Sequence, residues 1–159
     1  MPLEIRPAAP AEFPVIADLC AAAYAPFVGR DGAYVAALRD VAGRAAGAEL
    51  LVAAGGGLLG TVTFVPDGGP LGEIAEPGEA EFRMLAVDPG AQGRGIGLAL
   101  TRHVVEESRR RGRHGVVCSS LPTMRVAHRI YARLGLVRVP ARDWSPVPGV
   151  DLLTFALAF

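Results

Sequence analysis

Apolar and polar positions along the chain follow two rhythms, one of period two and one of period 3.6, and their order outlines an α/β domain. Leu3 to Arg6 reads as a short strand that Pro7 ends. From Ala11 to Tyr24 the residues Phe13, Ile16, Cys20 and Ala23 recur at helical spacing, and Pro26 to Asp31 breaks that pattern. An alanine-rich helix is predicted from about Gly32 to Ala46. Residues 49–54 and 58–65 read as a hairpin around Gly55-Gly56-Gly57, followed by a loop of proline, glycine and acid from Pro66 to Gly78. Next come a strand over 81–87, a helix from about Arg94 to Arg111 and a strand over 116–119. A helix over 123–134, stopped by Gly135, leads to a strand over 136–139. In the last strand Leu153, Phe155, Leu157 and Phe159 alternate with Leu152, Thr154, Ala156 and Ala158. The order β-α-α-β-β-β-α-β-α-β-β predicts a single domain over residues 1–159, a central mixed β-sheet flanked by about four helices.

One junction in this pattern carries chemistry. The strand Phe82-Arg83-Met84-Leu85-Ala86-Val87 closes in the turn Asp88-Pro89-Gly90, and Ile96, Leu100 and Val104 then recur at intervals of four. Between them lies Gln92-Gly93-Arg94-Gly95-Ile96-Gly97. Glycine weakens a helix by about 1 kcal/mol relative to alanine, so glycines at alternate positions beside a helix start need a reason. Backbone N–H groups at the positive end of a helix suit phosphate oxygens, and bare glycine lets them approach. The loop is not a Walker sequence, because no Gly-Lys-Ser/Thr follows and the chain has no lysine. A dinucleotide fingerprint fails too, since Leu98 and Leu100 stand where a third glycine belongs. The next strand, Gly115-Val116-Val117-Cys118, ends in Ser119-Ser120 rather than the acid that would hold a ribose.

Composition narrows the classes. The 16 basic and 16 acidic residues cancel, which gives no argument for nucleic acid or an acidic membrane as a partner. All the basic residues other than histidine are arginine, and the run Arg109-Arg110-Arg111-Gly112-Arg113 falls at a helix C-terminus, where cations are stabilising. Cys20 and Cys118 read as buried thiols rather than a disulfide. The first residues lack the apolar segment of a signal peptide, and no apolar run approaches the length of a membrane span, so a cytoplasmic protein is expected. His103, His114 and His128 lack metal-ligand spacing, and no metal is expected.

The spacing Gln-x-x-Gly-x-Gly at Gln92, Gly95 and Gly97 resembles the coenzyme A pyrophosphate loop of the GNAT superfamily of N-acetyltransferases. Ala127-His128-Arg129-Ile130-Tyr131-Ala132-Arg133-Leu134-Gly135-Leu136 resembles the same family's later helix, usually Ala-x-x-x-Tyr-x-x-x-Gly-Phe. The chain departs from that pattern at Leu136 and at Met124, where asparagine is usual. The resemblance implies the GNAT fold, acetyl-CoA as cosubstrate, and acetyl transfer to an amine by direct attack in a ternary complex. It places Gln92, Gly93, Arg94, Gly95, Ile96 and Gly97 on the pyrophosphate, and Leu85, Ala86 and Val87 beside the thioester and pantetheine arm. The Leu85 N–H would then meet the thioester carbonyl.

Acyl transfer needs a base for the amine, a donor for the oxyanion and an acid for the leaving thiolate. Tyr131 matches the tyrosine that many of these enzymes point at the sulfur, and is the expected acid. Glu81 resembles their strand glutamate and is the expected base, acting directly or through water. Strict alternation would put it on one face with Arg83, Leu85 and Val87. Tyr24, Phe27 and Tyr34 are expected to line the acceptor site, and the acidic loop bearing Asp67, Glu73, Glu76 and Glu79 to face a cationic amine. Trp144 is expected in a proline-rich loop, as an anchor or a pocket wall. The resemblance also covers a homodimer, a non-catalytic acyl-CoA-binding or regulatory module, and an enzyme acting on protein N-termini or lysines.

Overall fold

The computed structural model describes residues 2–159. Its strands are β1 (Glu4–Pro7), β2 (Glu49–Ala54), β3 (Leu58–Val65), β4 (Glu79–Val87), β5 (Gly115–Ser120), β6 (Val137–Arg138), β7 (Trp144–Val147) and β8 (Val150–Ala158). Its α-helices are α1 (Phe13–Val28), α2 (Ala33–Arg39), α3 (Val41–Gly47), α4 (Ile96–Arg110) and α5 (Arg125–Arg133). The sheet runs β1-β2-β3-β4-β5-β8-β6, with β7 hairpinned onto β8. β4 and β5 pair in parallel and the other neighbours are antiparallel.

Three local features depart from the sequence reading. Pro26 does not end α1, which continues to Val28 and stops at Gly29 (φ 81°), whose N–H bonds to the Ala25 carbonyl. The alanine-rich helix is two helices, because Asp40 (φ −80°, ψ 65°) leaves helical geometry and its carboxylate accepts the Gly43 N–H, capping α3. Trp144 lies in a strand rather than a loop: Trp144 pairs with Leu152 and Val147 with Val150 around a turn at Gly149 (φ 85°).

Apolar side chains sort onto the two faces of the sheet by strand parity. Leu51, Ala53, Val62, Phe64, Ala80 and Phe82 pack with Ile96, Leu100 and Val104 of α4 and with Tyr131 of α5. Leu50, Val52, Met84 and Ala86 pack with Ile16, Leu19, Cys20 and Tyr24 of α1 and with Leu38 and Val41. Residues 10–28 are long and apolar enough to cross a membrane by length and composition (19 residues, mean hydropathy 1.3), contrary to the expectation that no run came close. In the fold this stretch lies on the sheet, with Ile16, Leu19, Cys20 and Tyr24 buried. Cys20 and Cys118 are free, buried thiols.

β4 changes faces partway along. Thr61 and Thr63 of β3 face Ala86 and Arg83, so two steps on β3 match three on β4, and β4 carries one extra residue. Met84 takes φ 53°, the only positive φ outside glycine among the described residues. Such a conformation costs of order 1–3 kcal/mol and persists only where its surroundings impose it. The bulge corrects the alternation expected for this strand. Glu81 shares a face with Arg83, whereas Leu85 and Val87 pack with the α4 cluster.

Bare backbone seats α4 on this sheet. A Cβ added at Gly60 would lie 2.9 Å from Ile96 Cγ2 and 3.0 Å from both the Ala86 carbonyl oxygen and Leu100 Cδ1. Gly60→Ala should therefore lower the thermal midpoint. Overpacking of this kind costs about 1–3 kcal/mol, more than the roughly 0.4–1 kcal/mol gained by stiffening the unfolded chain. A midpoint at or above wild type would show that α4 is free to shift away from β3.

Candidate functional site

β4 and β5 stay paired only from Glu79–Gly115 to Glu81–Val117. Beyond that point the strands part, and the edge of β4 from Phe82 to Val87 has no strand partner on that side. A small cleft, partly open to solvent, occupies the gap. Phe82, Leu85, Cys118, Ala127 and Tyr131 line it from the α4 side of the sheet, and Tyr24, Arg83, Met84 and Met124 from the other. The cleft therefore runs through the sheet, as a ligand crevice does at the C-terminal ends of parallel strands.

Further along the free edge of β4, α4 begins with Gly97 beside Val87 and Ile130. Gln92, Gly93, Arg94 and Gly95 are exposed, while Ile96 and Gly97 are buried against the sheet. Gly93 and Gly95 sit at φ 80° and 78°, the left-handed region that favours glycine, and a Cβ on either would meet nothing within 4 Å. Backbone conformation, rather than lack of room, is what these two positions require. Gly97 answers a different need, since its Cβ would lie 3.0 Å from Ile130 Cδ1 and 3.5 Å from Val87 Cγ2. No side chain caps the N-terminus of α4. The first-turn N–H groups thus lack a side-chain partner and stand at the positive end of a 15-residue helix. A pyrophosphate supplies the anionic oxygens this end lacks, so the residues present fit coenzyme A.

Tyr131 lies at the floor of the cleft, 4 % exposed. It stands edge-on to Phe82 with ring centroids 5.7 Å apart, and 5.3 Å from the Phe155 ring. Gly135 (φ 94°) ends the helix below it, and the Leu136 N–H reaches back 2.9 Å to the Tyr131 carbonyl. Cys118 and Ser120 line the cleft together with Tyr131. Burial pushes its phenol well above the usual tyrosine range, so it keeps its proton until something in the cleft takes it. Burial also raises the Cys118 thiol.

Glu81 is 1 % exposed and is held by the acidic loop. Its Oε1 accepts the backbone N–H groups of Glu73 (2.9 Å), Ile74 (3.1 Å) and Ala75 (3.1 Å). Oε2 has no partner among the described residues. The same loop is tied down by Arg142, which donates to Glu79 Oε1 (2.7 Å) and to the Ile74 carbonyl (2.8 Å). Burial raises Glu73, whose carboxylate pairs with Arg83 Nε at 2.9 Å.

Tyr24 lines the cleft and Tyr34 packs on it with ring centroids 5.9 Å apart, whereas Phe27 is 43 % exposed and does not line the cleft. Ala86 faces the α1 side and Val87 the α4 side. Trp144 is not among the lining residues. The arginine run is largely engaged: Arg110 and Arg111 pair with Glu107, Arg111 with Glu49, and Arg113 with Asp67. Arg83, Cys118 and Ser120 line the cleft without having been singled out from the sequence. Their signal was position, since polar side chains at the far ends of a central parallel pair are where such sheets bind ligands.

Residues 15–136 match the acetyltransferase (GNAT) family. Over 95 residues, 60 % of this chain, the sequence is 30 % identical to an uncharacterized N-acetyltransferase of Schizosaccharomyces pombe, and the match spans about half (54 %) of that relative's length. A GNAT family acetyltransferase of Brucella melitensis, solved in complex with acetyl-CoA, is 26 % identical, with 99 % of this chain and 88 % of that one covered and a TM-score of 0.63. A Salmonella typhimurium structure solved with its cofactor acetyl-CoA is 22 % identical, with 99 % and 94 % covered and a TM-score of 0.70.

The clasp at Glu81 has a consequence that requires no ligand. Glu81→Ala leaves the N–H groups of residues 73–75 without their acceptor, and hydrogen bonds to a charged group contribute about 1.5–3 kcal/mol each. Amide exchange at 73–75 should rise and the thermal midpoint should fall. Exchange unchanged from wild type would mean that the loop is held by Arg142 alone.

Proposed function

The chain belongs to the GNAT family of acetyltransferases, and from that premise we propose that it moves the acetyl group of acetyl-CoA onto an amine by direct attack in a ternary complex. One juxtaposition supports this reading above the rest: an uncapped α4 N-terminus beside Val87, at the end of the free β4 edge whose cleft holds Tyr131. The relatives solved with acetyl-CoA support the choice of cosubstrate.

Each residue then has a role. The backbone N–H groups from Gly93 to Gly97, with the helix dipole behind them, hold the pyrophosphate, and Gln92 and Arg94 flank it. The unpartnered edge of β4 holds the pantetheine arm through Val87, with Ala86 backing it from the α1 core. The Leu85 N–H, on that same edge beside the bulge, donates to the carbonyl oxygen as charge gathers there. The thioester, when bound, supplies an activated acyl group and a thiolate leaving group. Tyr131 gives its proton to the departing sulfur.

The amine enters from the α1 side, past Tyr24, Tyr34 and Arg83. Glu81 accepts its proton through a water on Oε2, since Oε1 is occupied by the loop. Glu73, paired with Arg83, places a carboxylate on this side of the sheet.

Coenzyme A release from acetyl-CoA, measured across polyamines, amino acids, aminoglycosides and short peptides, tests the reaction and identifies the acceptor class. Release with one class is the expected result, and no release from any of them while acetyl-CoA still binds would favour a binding module instead. With the best acceptor, Tyr131→Phe should lower turnover about 10²-fold, the lower end of the range for a positioned acid. Turnover equal to wild type would remove Tyr131 from that role.

A further inference from the structure

Glu81 belongs to β4, yet what holds its carboxylate is anchored on the other side of the sheet. The N–H groups of Glu73, Ile74 and Ala75 converge on Glu81 Oε1. The next one along, that of Glu76, donates to Glu79 Oε1 at 2.9 Å. Consecutive backbone donors of the loop thus end on two glutamates of one strand, and the loop's position decides where those donors stand.

Arg142 fixes that position. Its Nη1 donates to Glu79 Oε2 at 3.0 Å and its Nη2 to Glu79 Oε1 at 2.7 Å, while Nη2 also reaches the Ile74 carbonyl at 2.8 Å, 68 residues away in the chain. Ile74 is therefore gripped at both ends, its N–H by Glu81 and its carbonyl by Arg142. The backbone of Arg142 is itself secured. Its N–H bonds to the Val139 carbonyl at 2.9 Å, and its own carbonyl accepts the hydroxyl of Thr154, fully buried in β8, at 2.7 Å. Arg83 holds the start of the loop, donating to the Leu71 carbonyl at 3.2 Å and pairing with Glu73.

We infer that Arg142 is a positioning residue for the transfer: anchored on β8, it sets the N–H groups of residues 73–75 and, through them, the carboxylate of Glu81. The inference rests on the reading of Glu81 as the base. Arg142 does not line the cleft, so it acts only through the loop. With the Glu81 backbone fixed in β4 and Oε1 fixed by its donors, the place of Oε2, the oxygen left for the water and the amine proton, follows. Arginine suits the task. A planar fork can grip a carboxylate with two nitrogens and still offer an N–H to a carbonyl, whereas the ammonium of lysine is a point charge on a flexible stem.

The test uses the best amine of the panel and two backgrounds. Arg142→Ala should lower kcat about 10-fold, with KM for acetyl-CoA unchanged. That is less than the roughly 10²-fold that a displacement of about 1 Å can cost, because Arg83 still holds one end of the loop. Glu81→Gln keeps an oxygen for the loop N–H groups but takes up no proton, and should be slow by itself. Arg142→Ala added to Glu81→Gln should then cost nothing further, whereas a role in packing alone would cost the same factor in both backgrounds. Arg142→Lys keeps the charge and part of the contact, so it guards against a folding defect and should fall between Arg142→Ala and wild type. Wild-type kcat in Arg142→Ala, or an equal loss with and without Glu81, would overturn the inference. Glu81→Gln separates the two claims. Wild-type turnover in that variant removes the base and the inference with it, and a slow Glu81→Gln beside a fast Arg142→Ala removes the role of Arg142 alone.

Discussion

The structure depends on the separation of β4 from β5. Parallel pairing ends at Glu81 and Val117, and the extra residue in β4 turns the strand at Met84 just beyond that point. A bulge bends the strand that carries it and strengthens its twist. Here it also reverses parity, so Phe82 serves one core and Met84 the other, and an edge of free backbone faces the gap between them. A regular strand would keep its partner and close the gap. The left-handed Met84 is the conformational cost of that opening, met by the packing of Met84 and Ala86 against α1.

Glycines bring a helix dipole to the opening. Gly60 and Gly97 remove side chains where α4 rests on β3, β4 and α5, while Gly93 and Gly95 turn the chain so that the helix starts uncapped beside Val87 of β4. Two sets of groups that are elsewhere costly to leave unpaired thus stand near the buried phenol: first-turn N–H groups of a helix and an unpartnered strand edge. Both are incomplete in the free protein, and one elongated ligand bearing phosphate, amide and thioester groups would complete them.

Much of this was legible in the chain. The glycine loop stood out because three glycines break a helix start, and Tyr131 because it sits four residues before Gly135 on a periodic helix. Strand alternation placed most of the core. Features set by tertiary packing were not legible. Nothing local marks the bulge at Met84, so alternation alone put Glu81 with Leu85 and Val87. Pro26 reads as a breaker, yet it removes only the bond to the Ala22 carbonyl, and α1 runs two residues further to Val28. Asp40 reads as one polar residue in a helix, and its capping bond to Gly43 becomes visible only once the chain has turned. The clasp between Glu81 and residues 73–75 joins a strand to a loop through backbone donors, which sequence does not display.

The most direct test is to add coenzyme A to isotope-labelled protein and follow the backbone amides by NMR. The account predicts that the shifts concentrate at residues 93–98 and along 82–87, the uncapped helix start and the free edge of β4. The fold has a second groove, lined by Ile5, Leu51, Phe64 and His103 beneath the far half of α4. Shifts confined to that groove, with residues 93–98 unmoved, would contradict it.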